Sequence, residues 1–315
     1  MLHRVVARLD IKGPNLIKGL QFDGHRVLGS AEQFAREYYK EGIDELFYVD
    51  TVASLYERNS LLDIIRRTAS SIFIPLTVAG GVRSIGDIKA MLRAGADKVA
   101  INTAAVENPE LLADASRIFG SQCIVSQLDY YRCEDNRVRV WVNYGREPTE
   151  LDAFDWAKRV EDLGVGEIIL CSVNRDGMGR GFDLEITSAI ADSVSIPVVV
   201  SGGAGNSQHV VDGIKYANAS AVAVGSAFHY HYATPINGPT LQFKESRLRM
   251  GDAIDSGNVQ FLNDGYGGER AIMVDSVSIP DLKAYMNESE IRTRVHTPGS
   301  LLRSSRVLPL GREVA

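Results

Sequence analysis

The stretch Phe73-Ile74-Pro75-Leu76-Thr77-Val78-Ala79-Gly80-Gly81 returns as Ser195-Ile196-Pro197-Val198-Val199-Val200-Ser201-Gly202-Gly203, 122 residues later (Pro75 to Pro197). Each copy is a short β-branched run, the pattern of a buried strand, closed by a Gly-Gly step. Gly42-Ile43-Asp44-Glu45 returns as Gly164-Val165-Gly166-Glu167, again at a spacing of 122. Ile101-Asn102-Thr103 returns as Val224-Gly225-Ser226 at 123, and Asp10 matches Asp129 at 119. Order and spacing are kept, so this is an internal repeat rather than chance similarity between glycine-rich turns.

Strands are predicted at Val5–Leu9, Glu45–Val49, Pro75–Val78, Lys98–Ile101, Ile124–Leu128, Glu167–Leu170, Pro197–Val200 and Ala221–Val224. Amphipathic stretches lie between them, from Ala31–Glu41 to Ser207–Tyr216, and one more follows a long gap at Ile279–Met286. Strands alternating with helices predict an α/β protein with a parallel sheet. Periodicity alone leaves an open doubly wound sheet as a rival. Four β/α units appearing twice favour a closed (β/α)8 TIM barrel built from two similar half-barrels.

The barrel is expected over residues 1–231 and 275–295. An insertion rich in Gly, Asn and Asp is expected over 232–274, and a flexible tail over 296–315. After strand five, Val138, Val140 and Val142 alternate with polar neighbours behind Glu134-Asp135-Asn136, which predicts part of a β-hairpin over the barrel mouth.

Composition narrows the function. The chain of 315 residues is 45% hydrophobic and 23% charged, which excludes disorder and fibrous repeats. A formal charge of −6 argues against a nucleic-acid binder. No apolar run approaches a membrane span. The N-terminus lacks a signal-peptide layout, and Cys123, Cys133 and Cys171 fit a reducing compartment, so a cytoplasmic location is expected. The cysteines are too scattered for a metal knuckle. His229 and His231 lack a third ligand at metal spacing, so neither a metal nor a cofactor is expected.

In β/α barrels, chemistry gathers at the C-terminal ends of the strands. Those positions hold Asp10, Asp50, Gly80-Gly81, Asn102-Thr103, Asp129, Asp176-Gly177, Gly202-Gly203 and Gly225-Ser226. A Gly-Gly step before a helix lets backbone N–H groups approach an anion, and the repeat places one such step in each half. Two phosphate sites across one mouth predict a substrate phosphorylated at both ends. Asp10 and Asp129 end equivalent strands and should face each other, as a general acid–base pair requires. Lys18 in the first loop is placed to reach a phosphate or carry a proton. Asp176 also suits an Asx-type turn, which its Asp-Gly step favours.

At the opposite ends of the strands stand Arg4, Glu45, Lys98 and Glu167. Surface exposure would account for each alone. Together, two positive and two negative charges suit a ring of ion pairs that plugs or gates the barrel.

These residues carry a resemblance. Leu9-Asp10-Ile11-Lys12, Ile17-Lys18-Gly19, Gly95-Ala96-Asp97-Lys98-Val99 and Ile101-Asn102-Thr103-Ala104-Ala105-Val106-Glu107-Asn108-Pro109 resemble the cyclase subunit of imidazole glycerol phosphate synthase, the HisF family. Arg175-Asp176-Gly177 and Ser201-Gly202-Gly203-Ala204-Gly205 continue the likeness, which runs from about Leu2 to His229 and resumes near Val277–Arg294. The resemblance implies a lyase of histidine biosynthesis. Such an enzyme joins ammonia to a bis-phosphorylated ribulosyl aminoimidazole carboxamide intermediate to give imidazole glycerol phosphate. It implies Asp10 and Asp129 as the acid–base pair, the glycine pairs as phosphate sites, and Lys18, Asp50 and Asp176 as mouth residues. It implies that Arg4, Glu45, Lys98 and Glu167 gate an ammonia channel. It also implies a glutaminase subunit docked at the N-terminal face.

The mouth departs from the family pattern. Arg8 stands where a small residue, commonly cysteine, is usual. Ser126-Gln127-Leu128 replaces apolar, small residues before Asp129, and Cys171 and Asn174 replace a common threonine and aspartate. These departures suit an alternative: a HisF-like paralogue that passes ammonia from a glutaminase to a sugar amidotransferase in surface-polysaccharide biosynthesis. The neighbouring isomerase of histidine biosynthesis shares the barrel, but the charge ring argues against it. A non-catalytic barrel would leave two paired sites without a purpose.

Overall fold

The structure, a computed structural model, describes residues 2–51, 59–233 and 273–294. Its strands are β1 (Arg4–Lys12), β2 (Asn15–Leu20), β3 (Asp23–Ser30), β4 (Glu45–Asp50), β5 (Leu76–Ala79) and β6 (Lys98–Ile101). They continue as β7 (Ile124–Arg132), β8 (Val138–Val142), β9 (Glu147–Asp152), β10 (Glu167–Ser172), β11 (Val198–Ser201) and β12 (Ala221–Val224). Parallel pairing runs β1-β4-β5-β6-β7-β10-β11-β12, and β12 pairs back onto β1 through Arg4↔Ala221 to Ala7↔Val224. The sheet has therefore closed. All eight predicted strands are in the ring, and the open-sheet rival is excluded.

Helices cover the ring as α1 (Ala31–Lys40), α2 (Asn59–Ala69), α3 (Ile85–Ala94), α4 (Thr103–Glu107) and α5 (Glu110–Phe119). They continue with α6 (Ala153–Asp162), α7 (Leu184–Ser193), α8 (Ser207–Lys215) and α9 (Ser226–Ala233), and a final helix spans Ile279–Glu288. Their starts are written in the sequence. Ser84, Asp152, Asp183, Asn206 and Ser278 each accept a backbone N–H of the first helical turn. Such caps stabilise a helix by about 1 kcal/mol each. The final helix docks through Lys283, whose buried ammonium donates to Asp44 and to the Gly42 carbonyl, both at 2.6 Å. Most of the proposed insertion and all of the proposed tail lie outside the described residues.

Two antiparallel hairpins stand on the mouth. The predicted one is present: β8 pairs with β7 through Asp129↔Trp141, and Val138, Val140 and Val142 are buried while Arg139 and Trp141 are half-buried. Its counterpart, β2–β3 beside β1 with Asp10↔Ile17 in register, was not foreseen. Asn15–Leu20 is buried on both faces except at its end, so it lacks the alternation that marked β8. The repeat thus extends to the hairpins.

Side chains pointing into the ring form layers. The lowest holds Arg4, Glu45, Lys98 and Glu167. Above it lie apolar side chains that include Val6, Phe47, Val125, Ile169 and Val199, all at most 3% exposed. The upper layers carry Arg8, Asp10, Gln127, Asp129, Cys171 and Ser201, again buried. A polar–apolar–polar sequence along the axis is the frame for everything below.

Candidate active site

The two ends of the barrel are polar for different reasons. At the lower end, Glu45 and Glu167 alternate with Arg4 and Lys98. Arg4 donates to Glu45 at 2.7 Å and to Glu167. Lys98 reaches Glu45 at 3.0 Å and Glu167 at 2.8 Å. The four charges close a ring, as foreseen. Thr77 adds a hydroxyl donated to Glu45 at 2.6 Å. Both carboxylates are buried, while the cations retain some exposure. Burial works against the Arg4 charge, but the two glutamates outweigh it and raise its pKa.

At the mouth the two aspartates meet opposite surroundings. Asp10 accepts from Arg8 Nε at 3.0 Å, and Lys18 Nζ stands 3.7 Å away. Burial pushes the Asp10 carboxyl up, but Arg8 and Lys18 outweigh it, and the pKa falls below the ordinary value. Among the described residues Asp129 forms no ion pair, although the nearby Arg8 charge works to lower its pKa. Its oxygens accept from the Gln127 amide at 3.0 Å and from Asn102 Nδ2 at 3.0 Å. Burial dominates there, Asp10 adds like charge, and the carboxyl is pushed up to about 6. One carboxylate is therefore pinned as an anion. The other is poised to gain and lose a proton near neutral pH, the division of labour that acid–base chemistry needs.

Each glycine pair opens a cavity beside one aspartate. The first, about 90 Å³, is lined by Asp50, Gly80, Gly81, Asn102, Thr103 and Asp129, with Gln127 and Tyr144. The second, about 20 Å³, is lined by Asp10, Lys18, Asp176, Gly177, Gly202, Gly203, Gly225 and Ser226, with Arg8 and Ser201. The mouth residues singled out from sequence thus divide between the two. The halves match in detail. Gly80 has φ +111°, and a Cβ there would lie 2.6 Å from the Asp50 carbonyl oxygen. Gly202 has φ +84°, and a Cβ there would lie 2.7 Å from the Ser172 carbonyl oxygen. Neither position tolerates another residue without strain.

Some predicted groups are engaged within the protein. Both contacts of Asn102 Nδ2 are internal, to Asp129 and to the Trp141 carbonyl at 2.9 Å. Thr103 Oγ accepts from Asn143 N at 2.9 Å, which leaves its hydroxyl proton free to donate. Lys18 pairs with Asp176 at 2.6 Å. His229 is structural. Its Nδ1 lies 2.6 Å from the Tyr38 hydroxyl, it bonds the Arg8 carbonyl, and burial lowers its pKa to about 3. Among the described residues, no group of three or more His, Cys, Asp or Glu side chains is arranged to hold a metal.

Four residues at the mouth had no role in the sequence reading. Arg8 and Gln127 point inward two places before each aspartate, a signal that strand alternation carries. Phe22 and Tyr144 arrive on the two hairpins and meet with ring centroids 4.6 Å apart, with Arg8 Cζ 5.0 Å from the Phe22 ring centre. They close the mouth from above, and their pairing depends on tertiary folding alone.

The comparisons agree with this geometry. The profile of a family described as histidine biosynthesis protein matches residues 4–234. A Legionella pneumophila protein named imidazole glycerol phosphate synthase subunit HisF is 52% identical over 202 residues, covering 64% of this chain and 95% of that relative. The profile match spans both halves of the barrel and both aspartates' strands. This chain belongs to the histidine biosynthesis protein family.

Proposed function

We propose that this chain is the cyclase subunit of an imidazole glycerol phosphate synthase. It uses ammonia to convert a bis-phosphorylated ribulosyl aminoimidazole carboxamide intermediate to imidazole glycerol phosphate. The observation that carries this reading is the pairing of one ionised and one titrating aspartate between two glycine-lined cavities. The cavities lie in opposite halves of the barrel, as the two phosphates of such a substrate require. Ammonia addition, loss of water and ring closure each move a proton. Asp129 suits the exchange, since its carboxyl sits near 6. Asp10, held anionic by Arg8 and Lys18, stabilises positive charge that develops on the attacking nitrogen.

The lower end of the barrel suits ammonia delivery. The apolar layer above the charge ring passes neutral ammonia far more readily than ammonium, because an unpaired ion is costly there. We place the glutaminase partner at this N-terminal face. Leu2 and Phe73 support that placement: both lie at the strand starts, 63% and 82% exposed, large apolar side chains otherwise left in water. Arg4, Glu45, Lys98 and Glu167 then act as the gate.

A second reading has one observation in its favour. Arg8 fills the mouth and the cavities are small, about 90 and 20 Å³, against several hundred for ordinary ligand sites. A barrel that only passed ammonia on to a sugar amidotransferase would keep its ring and tolerate such filling. The cyclase reading instead requires the hairpins carrying Phe22 and Tyr144 to part when substrate enters.

The deciding experiment is ammonia-dependent turnover of the bis-phosphorylated intermediate by the purified chain without a glutaminase. Asp10→Asn and Asp129→Asn serve as controls. Turnover that both variants lose supports the cyclase. A folded wild-type protein with no turnover overturns it in favour of the second reading.

A further inference from the structure

Arg8 is fully buried, and its three nitrogens differ. Nε donates to Asp10 at 3.0 Å. Nη1 contacts Cys171 Sγ at 2.8 Å and Ser201 Oγ at 3.3 Å, with Asp176 Oδ2 at 3.7 Å. Nη2 is buried with no partner. A buried guanidinium N–H without an acceptor is costly, and native structures seldom keep one without use. Arg8 lines the smaller cavity together with Lys18, the Gly202-Gly203 turn and Gly225-Ser226.

Charge balance in that cavity depends on Arg8. Asp10 and Asp176 supply two negative charges. Lys18 alone would leave them in excess, and an entering anion would be repelled. With Arg8 the four groups balance, and the Nη2 donors remain unspent. The guanidinium cannot swing aside freely, because Phe22 packs on its face and the His229 ring bonds its backbone carbonyl.

We propose that Arg8 is a specificity-determining residue whose free Nη2 donates to a phosphate-monoester oxygen held in the Gly202-Gly203 and Gly225-Ser226 cavity. This deepens the cyclase reading, and rests on it for the identity of the substrate. The consequence is that the two halves bind phosphate by different means. The half with Gly80-Gly81 offers backbone amides and the Thr103 hydroxyl, with no Lys or Arg side chain among the described residues of its lining. The half with Gly202-Gly203 adds a guanidinium, which forms shorter, stronger charge-assisted bonds to phosphate than a neutral donor does. The two phosphate ends of the substrate thereby meet chemically different sites.

The test is calorimetric titration of the full chain with inorganic phosphate, in wild type, Arg8→Met and Arg8→Lys, with circular dichroism on each. The wild type is expected to bind two equivalents, Arg8→Met one, and Arg8→Lys two with one weakened at least tenfold. Lys keeps the charge but loses the fork, so it decides the matter if Arg8→Met does not fold. Equal stoichiometry and affinity in wild type and every folded variant overturns the proposal. Binding is read without turnover, so Arg8-dependent phosphate binding in a protein that lacks cyclase activity would sink the cyclase reading and leave this one standing.

Discussion

Arg8 and Asp10 face the same interior from one strand, two residues apart, and join through Nε to Oδ1 at 3.0 Å with both side chains buried. The contact fixes the anionic state of Asp10 and ties it to a cation that the rest of the site must accommodate. Removing one member of a buried ion pair strands the other, at about 3–5 kcal/mol. Asp176 Oδ2 stays 3.7 Å from Arg8 Nη1, so Arg8 is not wholly unpartnered when Asp10 is replaced. Asp10→Asn is therefore expected to cost about 2–4 kcal/mol, as well as turnover. Urea unfolding monitored by circular dichroism measures the first, and a midpoint unchanged from wild type would contradict the pairing.

Asp129 should behave in the opposite way. Its folded pKa, about 6, lies above that of an unfolded aspartate. The stability this contributes is fully present below the unfolded value and is lost as pH rises through about 6. Above that, the ionised carboxylate weakens the fold. Asp129→Asn removes the ionisation while keeping an acceptor for Gln127. At pH 8 the variant is expected to be more stable than wild type by about 1–3 kcal/mol, and near pH 4 to show little gain. Unfolding curves at the two pH values read this directly. A stability difference independent of pH would show that Asp129 is not the group held up by burial.

The glycine pairs predict matched losses. Gly80→Ala and Gly202→Ala each force a Cβ to within 2.6 and 2.7 Å of a carbonyl oxygen on the preceding strand end. Positive φ adds to the strain. Each is expected to cost about 2–4 kcal/mol, and the two to be similar. A large difference between them would break the equivalence of the two halves.

On the proposed function, the charge ring separates transport from chemistry. Arg4→Ala opens the ring on its more exposed side and leaves Lys98 to hold both glutamates. With ammonia supplied in excess from solution, delivery through the ring is not needed, and the ammonia-dependent rate is expected to stay within about twofold of wild type, well under the tenfold that 1.4 kcal/mol represents. With the glutaminase bound, glutamine-dependent turnover should fall several-fold as ammonia escapes. Equal effects on both rates would move Arg4 out of the gate and into the fold.

The proposed docking face has its own check. Phe73→Asp places a charge at an 82% exposed apolar position next to the strand starts. It should weaken association with the glutaminase by at least tenfold and leave ammonia-dependent turnover unchanged. Sedimentation or calorimetry with the partner measures it, and unaltered affinity would place the interface elsewhere.

Much of this protein was legible from its chain. The repeated strand-Gly-Gly pattern required two like halves, because short buried runs and glycine turns impose local geometry wherever they occur. Strand alternation then put Asp10, Asp129 and the four ring charges on the inward face, and strand ends set their heights. What the sequence lacked was neighbours across the barrel. The β2–β3 hairpin escaped notice because a strand buried on both faces shows no alternation. Arg8 and Gln127 stood out only as unusual residues until closure brought one against Asp10 and the other against Asp129. Their opposite effects on two chemically identical carboxyls come from burial and from which partner lies within hydrogen-bond reach. Those quantities are set by the closed ring and not by any residue's position in the chain.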